Sequence, residues 1–541
     1  MFHARAESQL VRGRGTAAAR PDRDTEREQS TRQAPTNTKR DGRRAIARTL
    51  TGTAALLMAV CAMSASSALG STVPNPAVQG PIVGGTHGYP WNHSLFELTG
   101  KGYSYTENEY FYSGMATNLA HGLTAPYESR MLVRLPQDPK KFNGTVIVEW
   151  LNVTGGNDLE TVWPVEGQYL MQHGYGYVGV SAQLVGADFL PAWDPVRYAG
   201  ITHPGDEFSF DIFSQAMQAL RDPSENRAVL GGVTGVDPMR GMTVKHLVAN
   251  GASQSASKLT EFVNGGYNRG EVDAYVITRG GGPFNDFSTP IFQLNEETQA
   301  ARPLDNSHYR VWEEAGMAHA PYAWYSYIWS MYQRDLVPSG TPNPINTACA
   351  INRGQVDYTA RAASRWVARY FETGEMGPSM PRLARTSAGE LVRDSNGLAE
   401  GGVRQPFIEA PVAYNAGTGC PLFGTYRGWT PAMIQSLYPT HVAYVAAVKN
   451  AAKYDITQGW LLSPDANAAI AKAEAFAAPW TLGSCYETSN PKGEETGTAS
   501  SQISSVTWSS TFLTLGDTAP LGGFDAATHE ANCDIVVEAG L

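Results

Sequence analysis

Between residues 130 and 312, short β-branched or apolar runs recur with longer stretches of helical spacing between them, and this alternation leaves few folds open. In chain order the runs are 130–135, closed by Pro136; 144–151, followed by Asn152-Val153-Thr154-Gly155-Gly156; and 175–181. Next come 244–249; 275–278, followed by Arg279 and three glycines; 291–294, followed by Asn295-Glu296-Glu297; and 309–312, followed by a loop to His319. Strands joined through helices cannot pair as simple hairpins, so the pattern predicts a mostly parallel sheet flanked by helices, within a region of alternation from about 95 to 320. In such a sheet the ligand crevice lies outside the carboxyl ends of the strands, where the chain leaves the hydrophobic layer. Helical spacing marks 211–220, 256–262, 358–372, 439–452 and 463–477.

The run 244–249 leads into Gly251-Ala252-Ser253-Gln254-Ser255 and then into a helical segment. A serine hydroxyl is a weak nucleophile, and chemistry requires it on a constrained turn with a base and oxyanion donors nearby. On a sharp strand-to-helix turn the residues two before and two after the serine must be small, which Gly251 and Ser255 satisfy, although serine replaces the usual second glycine. In chains with this turn an acid and then a histidine follow, each after a later strand. His319 fits the base. His246 lies inside a strand, His308 precedes one, and His203 and His441 follow no sheet strand in the required order. The acid is expected after 291–294, where Glu296, Glu297 and Asp305 compete, and Glu297 is the preferred candidate. Oxyanion donors are expected from the backbone of Gln254 and from Val153 and Thr154 in the loop after 144–151.

The ends of the chain read differently. Residues 1–43 form a basic leader with no periodic apolar pattern, and 44–70 reads as an export signal: Arg43-Arg44 and Arg48, an apolar run of about 14 residues, then small residues to Gly70. That run is short for a span of roughly 20 residues, so the reading is a secreted protein without a stable membrane anchor. A net charge of −10 disfavours nucleic acid as a partner. Beyond the signal stand Cys349, Cys420, Cys485 and Cys533, an even number consistent with disulfides in any of three connectivities and too widely spaced for a zinc site. The region from about 320 to 490 is expected to be a long helical extension that packs back on the core and caps the site. Residues 491–541 form a tail rich in Ser, Thr and Gly.

Several segments together resemble one family: 107–116, Val148-Glu149-Trp150-Leu151-Asn152-Val153-Thr154-Gly155-Gly156, Gly251-Ala252-Ser253-Gln254-Ser255, and 309–319 through Gly316-Met317-Ala318-His319. With Gly401-Gly402-Val403-Arg404 and Leu437-Tyr438-Pro439-Thr440-His441, the likeness to the "alpha/beta hydrolase domain-containing protein" family spans roughly 80–490. It implies the α/β-hydrolase fold and a serine hydrolase. The family's Ser-Glu-Thr-Asp acid segment maps onto Asn295-Glu297-Thr298-Gln299 with Glu296 as an intrusion. The expected activity is hydrolysis of small carboxylic esters through an acyl-enzyme on Ser253, with His319 as general base and acid, Glu297 orienting it, and neither cofactor nor metal required. A serine peptidase or amidase, and a catalytically silent binding protein on the same fold, are the alternatives.

Overall fold

Hydrophobic alternation along each strand decides the architecture, because neighbouring residues face opposite sides of a sheet. The computed structural model describes residues 73–223, 235–299, 303–338, 340–477 and 479–480. The segments read as a leader (1–43), an export signal (44–70) and a Ser/Thr/Gly-rich tail (491–541), with Cys485 and Cys533, lie outside the described residues. Ten strands form one sheet: β1 Ala77–Gln79, β2 Thr99–Gly100, β3 Tyr103–Thr117, β4 Thr124–Pro136, β5 Thr145–Trp150, β6 Gly176–Val180, β7 His246–Ala252, β8 Ala274–Thr278, β9 Ile291–Asn295 and β10 Tyr309–Glu313. Their order is β1-β3-β4-β6-β5-β7-β8-β9-β10, with β2 paired to β3. Every pairing from β6 to β10 is parallel. The β1, β3, β4 and β6 end is antiparallel. Each run expected to be a strand is one, and the sheet is mostly parallel with helices on both faces.

On one face Val146, Val148, Leu247, Ala249, Tyr275 and Ile277 pack beneath the helices Ser209–Arg221 and Gln254–Asn264 through Phe213, Met217, Leu259 and Phe262. On the other, Ile147, Val248, Ala274, Val276 and Phe292 meet Trp163, Leu170, Ile328 and Val367 from the helices Trp163–Gln172, Tyr322–Asp335 and Val356–Thr373. Burial of each such aliphatic side chain contributes about 1.5–3 kcal/mol, which fixes the register, since a one-residue slip would exchange the two faces.

The extension beyond residue 320 does pack back on the core. Its first two long helices belong to the sheet-covering layer just described. The remainder, with the hairpin β11 Ala413–Cys420 and β12 Gly424–Gly428 and the helices His441–Gln458 and Ser463–Ala475, builds a further apolar cluster around Ile408, Val412, Tyr444 and Val448. Thr440 caps the first of these helices by accepting from Ala443 N–H, which is why it begins after Pro439 and not at it. Cys349 and Cys420 form a disulfide that ties the hairpin to the segment following Tyr322–Asp335. Among the described residues no helix is long and apolar enough to cross a membrane.

Candidate active site

The strand order reverses at β5, from which the chain passes first to β6 on one side and later to β7 on the other. That reversal opens a crevice at the carboxyl ends of β5 and β7. Ser253 stands at the tip of β7 with φ 59° and ψ −116°, a conformation rare for a residue bearing a Cβ and held only where the surroundings dictate it. Two contacts impose it. A Cβ on Gly251 would come within 3.0 Å of Leu259 Cδ1 and Ser255 O, so only glycine lets the strand enter the turn. Ser255, at the position usually held by glycine, is fully buried and closes the turn, accepting from Ala252 N–H and donating to Ala252 O, both at 2.9 Å.

His319 reaches this turn from the loop after β10. Its Nε2 lies 2.8 Å from Ser253 Oγ and its Nδ1 3.2 Å from Glu296 Oε1. An ionised carboxylate only accepts, so Nδ1 carries the proton and Nε2 is left to accept from the serine hydroxyl. Burial raises the Glu296 pKa, but hydrogen bonds from His319, Thr298 and Gln299 outweigh it and hold the carboxyl below the ordinary glutamate value.

The structure therefore corrects the expected acid, placing Glu296 and not Glu297 against His319. Both glutamates are 1 % exposed, so burial does not separate them and their partners do. Glu297 turns to the opposite side of the loop, accepting from Gly316 N–H at 2.7 Å, Gly417 N–H at 2.8 Å and Arg393 Nη2 at 2.9 Å. It clamps the acid loop to the histidine loop and to β11. Asp305 is held by Arg382 and Arg310, at 2.9 and 3.3 Å. Three of the four rival histidines are occupied elsewhere: His246 stacks on Phe371, and His203 and His441 bond to the carbonyls of Ala182 and Ala473.

Gln254 opens the helix Gln254–Asn264, so its N–H has no intrahelical partner. Val153 N–H makes a long 3.4 Å contact with Gln254 Oε1, whose amide is oriented by a 2.9 Å bond from Nε2 to Gln183 Oε1. Thr154 does not join them as expected. Its N–H is committed to Asn152 Oδ1 at 2.8 Å, while Asn152 Nδ2 donates to Ala252 O at 2.9 Å and so ties this loop to the serine turn.

Sequence reasoning missed two residues of the site. Asn152 is one, and its only signal is an amide directly after a strand. The other is Arg279, buried just beyond β8 with φ 52°, which donates from Nη1 to His319 O at 3.2 Å. Burial pulls its pKa down to about 10, against the opposing charges of Glu149, Glu296 and Glu314. The glycine after it is needed for close approach, because a Cβ on Gly280 would stand 3.3 Å from Ser253 O with φ at +152°.

A parallel sheet presenting a serine, a histidine and a carboxylate in hydrogen-bonded sequence, on loops after three different strands, defines the serine-hydrolase arrangement of an α/β fold. The chain belongs to the alpha/beta hydrolase domain family, whose model matches residues 78–471. No curated protein sequence matches it. Similar solved structures include oligopeptidase B from Trypanosoma brucei, 12 % identical over 32 % of this chain and 20 % of that one, TM-score 0.20. Esterase Est22 is 9 % identical over 36 % and 65 %, TM-score 0.23. A glucuronoyl esterase from Teredinibacter turnerae is 11 % identical over 39 % and 47 %, TM-score 0.21. The chain spans less than two thirds of the length of each of these three.

Proposed function

We propose that this protein is a carboxylic-ester hydrolase working through an acyl-enzyme on Ser253. The observation that carries the reading is the unbroken Ser253–His319–Glu296 relay, at 2.8 and 3.2 Å, on a serine held in a strained turn. His319 takes the hydroxyl proton as Ser253 Oγ attacks the ester carbonyl, and the imidazolium so formed is stabilised by Glu296. The tetrahedral oxyanion is received by the N–H groups of Gln254 and Val153, the latter exchanging its weak 3.4 Å contact with a neutral amide for a charged acceptor. His319 then returns the proton to the departing alcohol oxygen. In the second half it deprotonates water, which attacks the acyl carbonyl, releases the acid and restores the Ser253 hydroxyl.

The same relay cleaves amides, so substrate class is the part that requires measurement. On the protein beginning near residue 71, the form expected after removal of the export signal, p-nitrophenyl esters from acetyl to palmitoyl are expected to turn over. The matching p-nitroanilides should react far more slowly. Faster cleavage of the anilides would transfer the reading to a peptidase or amidase, and a folded protein that hydrolyses neither would leave only a binding role.

A further inference from the structure

His319 stands on the loop 314–321, between β10 and the helix Tyr322–Asp335. A loop fixes an imidazole only as well as its own backbone is fixed. Much of that fixing comes from the extension. Ala320 N–H donates to Leu422 O at 2.7 Å, and the two ends of the loop, at Gly316 and Tyr322, both meet Asn352, which lies 36 residues beyond Gly316.

Asn352 is fully buried, and its polar groups are all engaged. Its amide donates from Nδ2 to Gly316 O at 2.8 Å and to Ala416 O on β11 at 3.1 Å, while Oδ1 accepts from Gly354 N–H at 2.9 Å. Its backbone N–H donates to Phe423 O at 2.9 Å, and its carbonyl accepts from Tyr322 N–H at 2.8 Å. Two carbonyls can only accept and one N–H can only donate, so these partners fix which way the amide points. The bridge Cys349–Cys420 joins the segment carrying Asn352 to the end of β11. A Cβ on Gly424 would come within 2.7 Å of Ala318 Cβ, so hairpin and histidine loop are in direct contact.

Taking Ser253 and His319 as the reacting pair, a reading on which this role rests, we propose that Asn352 is a positioning residue for His319. It clasps the histidine loop at both ends and makes the extension a working part of the active site. Asn352 bonds to no member of the relay, so its effect runs through the loop backbone. The imidazole must meet Ser253 Oγ at 2.8 Å and Glu296 Oε1 at 3.2 Å together, and displacing a reacting group by about 1 Å costs about 100-fold in rate.

Asn352→Ala and Thr440→Ala, each compared with the parent on p-nitrophenyl acetate and with a fluorophosphonate, test this. Thr440→Ala removes a helix cap in the same extension with no bond to the loop, and is expected to lower the melting temperature while kcat stays unchanged. Asn352→Ala should lower kcat per titratable Ser253 by about 10–100-fold, slow the labelling of Ser253 by a similar factor and leave KM within about twofold. Asn352→Ser, whose hydroxyl supplies one donor in place of two, should fall between parent and Ala variant, and it carries the comparison if the Ala variant does not fold. Parent-like kcat and labelling rate in every Asn352 variant that folds would overturn the proposal, whatever the melting temperatures. So would an equal loss of kcat in Thr440→Ala. A parent whose Ser253 is never labelled would instead refute the hydrolase reading, and this role with it.

Discussion

Ser253→Ala is expected to lower the kcat for p-nitrophenyl ester hydrolysis by about 10⁶-fold while the protein stays folded. Removing the nucleophile of such a relay costs nearly as much as removing the whole relay, because its members act as one unit. His319→Ala should therefore cause a loss of similar size, and the double variant should be scarcely worse than either single one. Additive losses would mean that the two residues do not act on the same step. The substitution shortens a side chain without altering the backbone of β7 or the closure made by Ser255, so melting of the Ala variant should match the parent. Activity retained in Ser253→Ala would place the chemistry elsewhere in the molecule.

The second large effect separates two adjacent residues. Glu296→Gln puts an amide where His319 Nδ1 now meets a carboxylate oxygen, and an amide NH₂ turned toward Nδ1 favours the tautomer protonated on Nε2. That imidazole cannot accept the Ser253 proton. A kcat loss of about 10⁴-fold is expected, with a modest change in KM. Glu297→Gln should do the reverse, keeping kcat within a few-fold and lowering stability by about 2–3 kcal/mol, since it removes the charge that binds Arg393 and two backbone N–H groups. Steady-state kinetics and thermal melts on the two variants decide it. If Glu297→Gln were the inactive one, the loop would have to adopt another arrangement during turnover.

That pair also shows where sequence reasoning stopped. The order serine, acid, histidine narrowed the acid to a strand end, because the fold places each member after a different strand. Which of two neighbouring glutamates faces the histidine depends on the path of the loop. That path is set by contacts from 393 and 417, about a hundred residues away, and no local pattern records them. The parallel strands were legible because burial on both faces leaves continuous apolar runs such as Val146-Ile147-Val148.

β3 was not legible as a strand from its own residues, for the opposite reason. It carries Glu107 and Glu109, whose carboxylates are buried against Arg134, Arg130 and Arg197 at 2.6–2.7 Å. A strand whose polar residues are satisfied by ion pairs inside the protein has the composition of a surface segment. The hairpin β11–β12 is short, glycine-rich and tied by Cys349–Cys420, so it too has little hydrophobic period to read. Asn152 and Arg279 escaped notice because they act through backbone carbonyls, those of Ala252 and His319. Only the folded chain brings such carbonyls within reach.

The central claim is that Ser253 is a nucleophile activated by His319. The most direct measurement is reaction of the folded protein with a fluorophosphonate, followed by peptide mass spectrometry. One adduct per chain is expected, on the peptide carrying Ser253, absent in Ser253→Ala and formed much more slowly in His319→Gln. Absence of any adduct, or an adduct on another serine with Ser253 unmodified, would contradict the account.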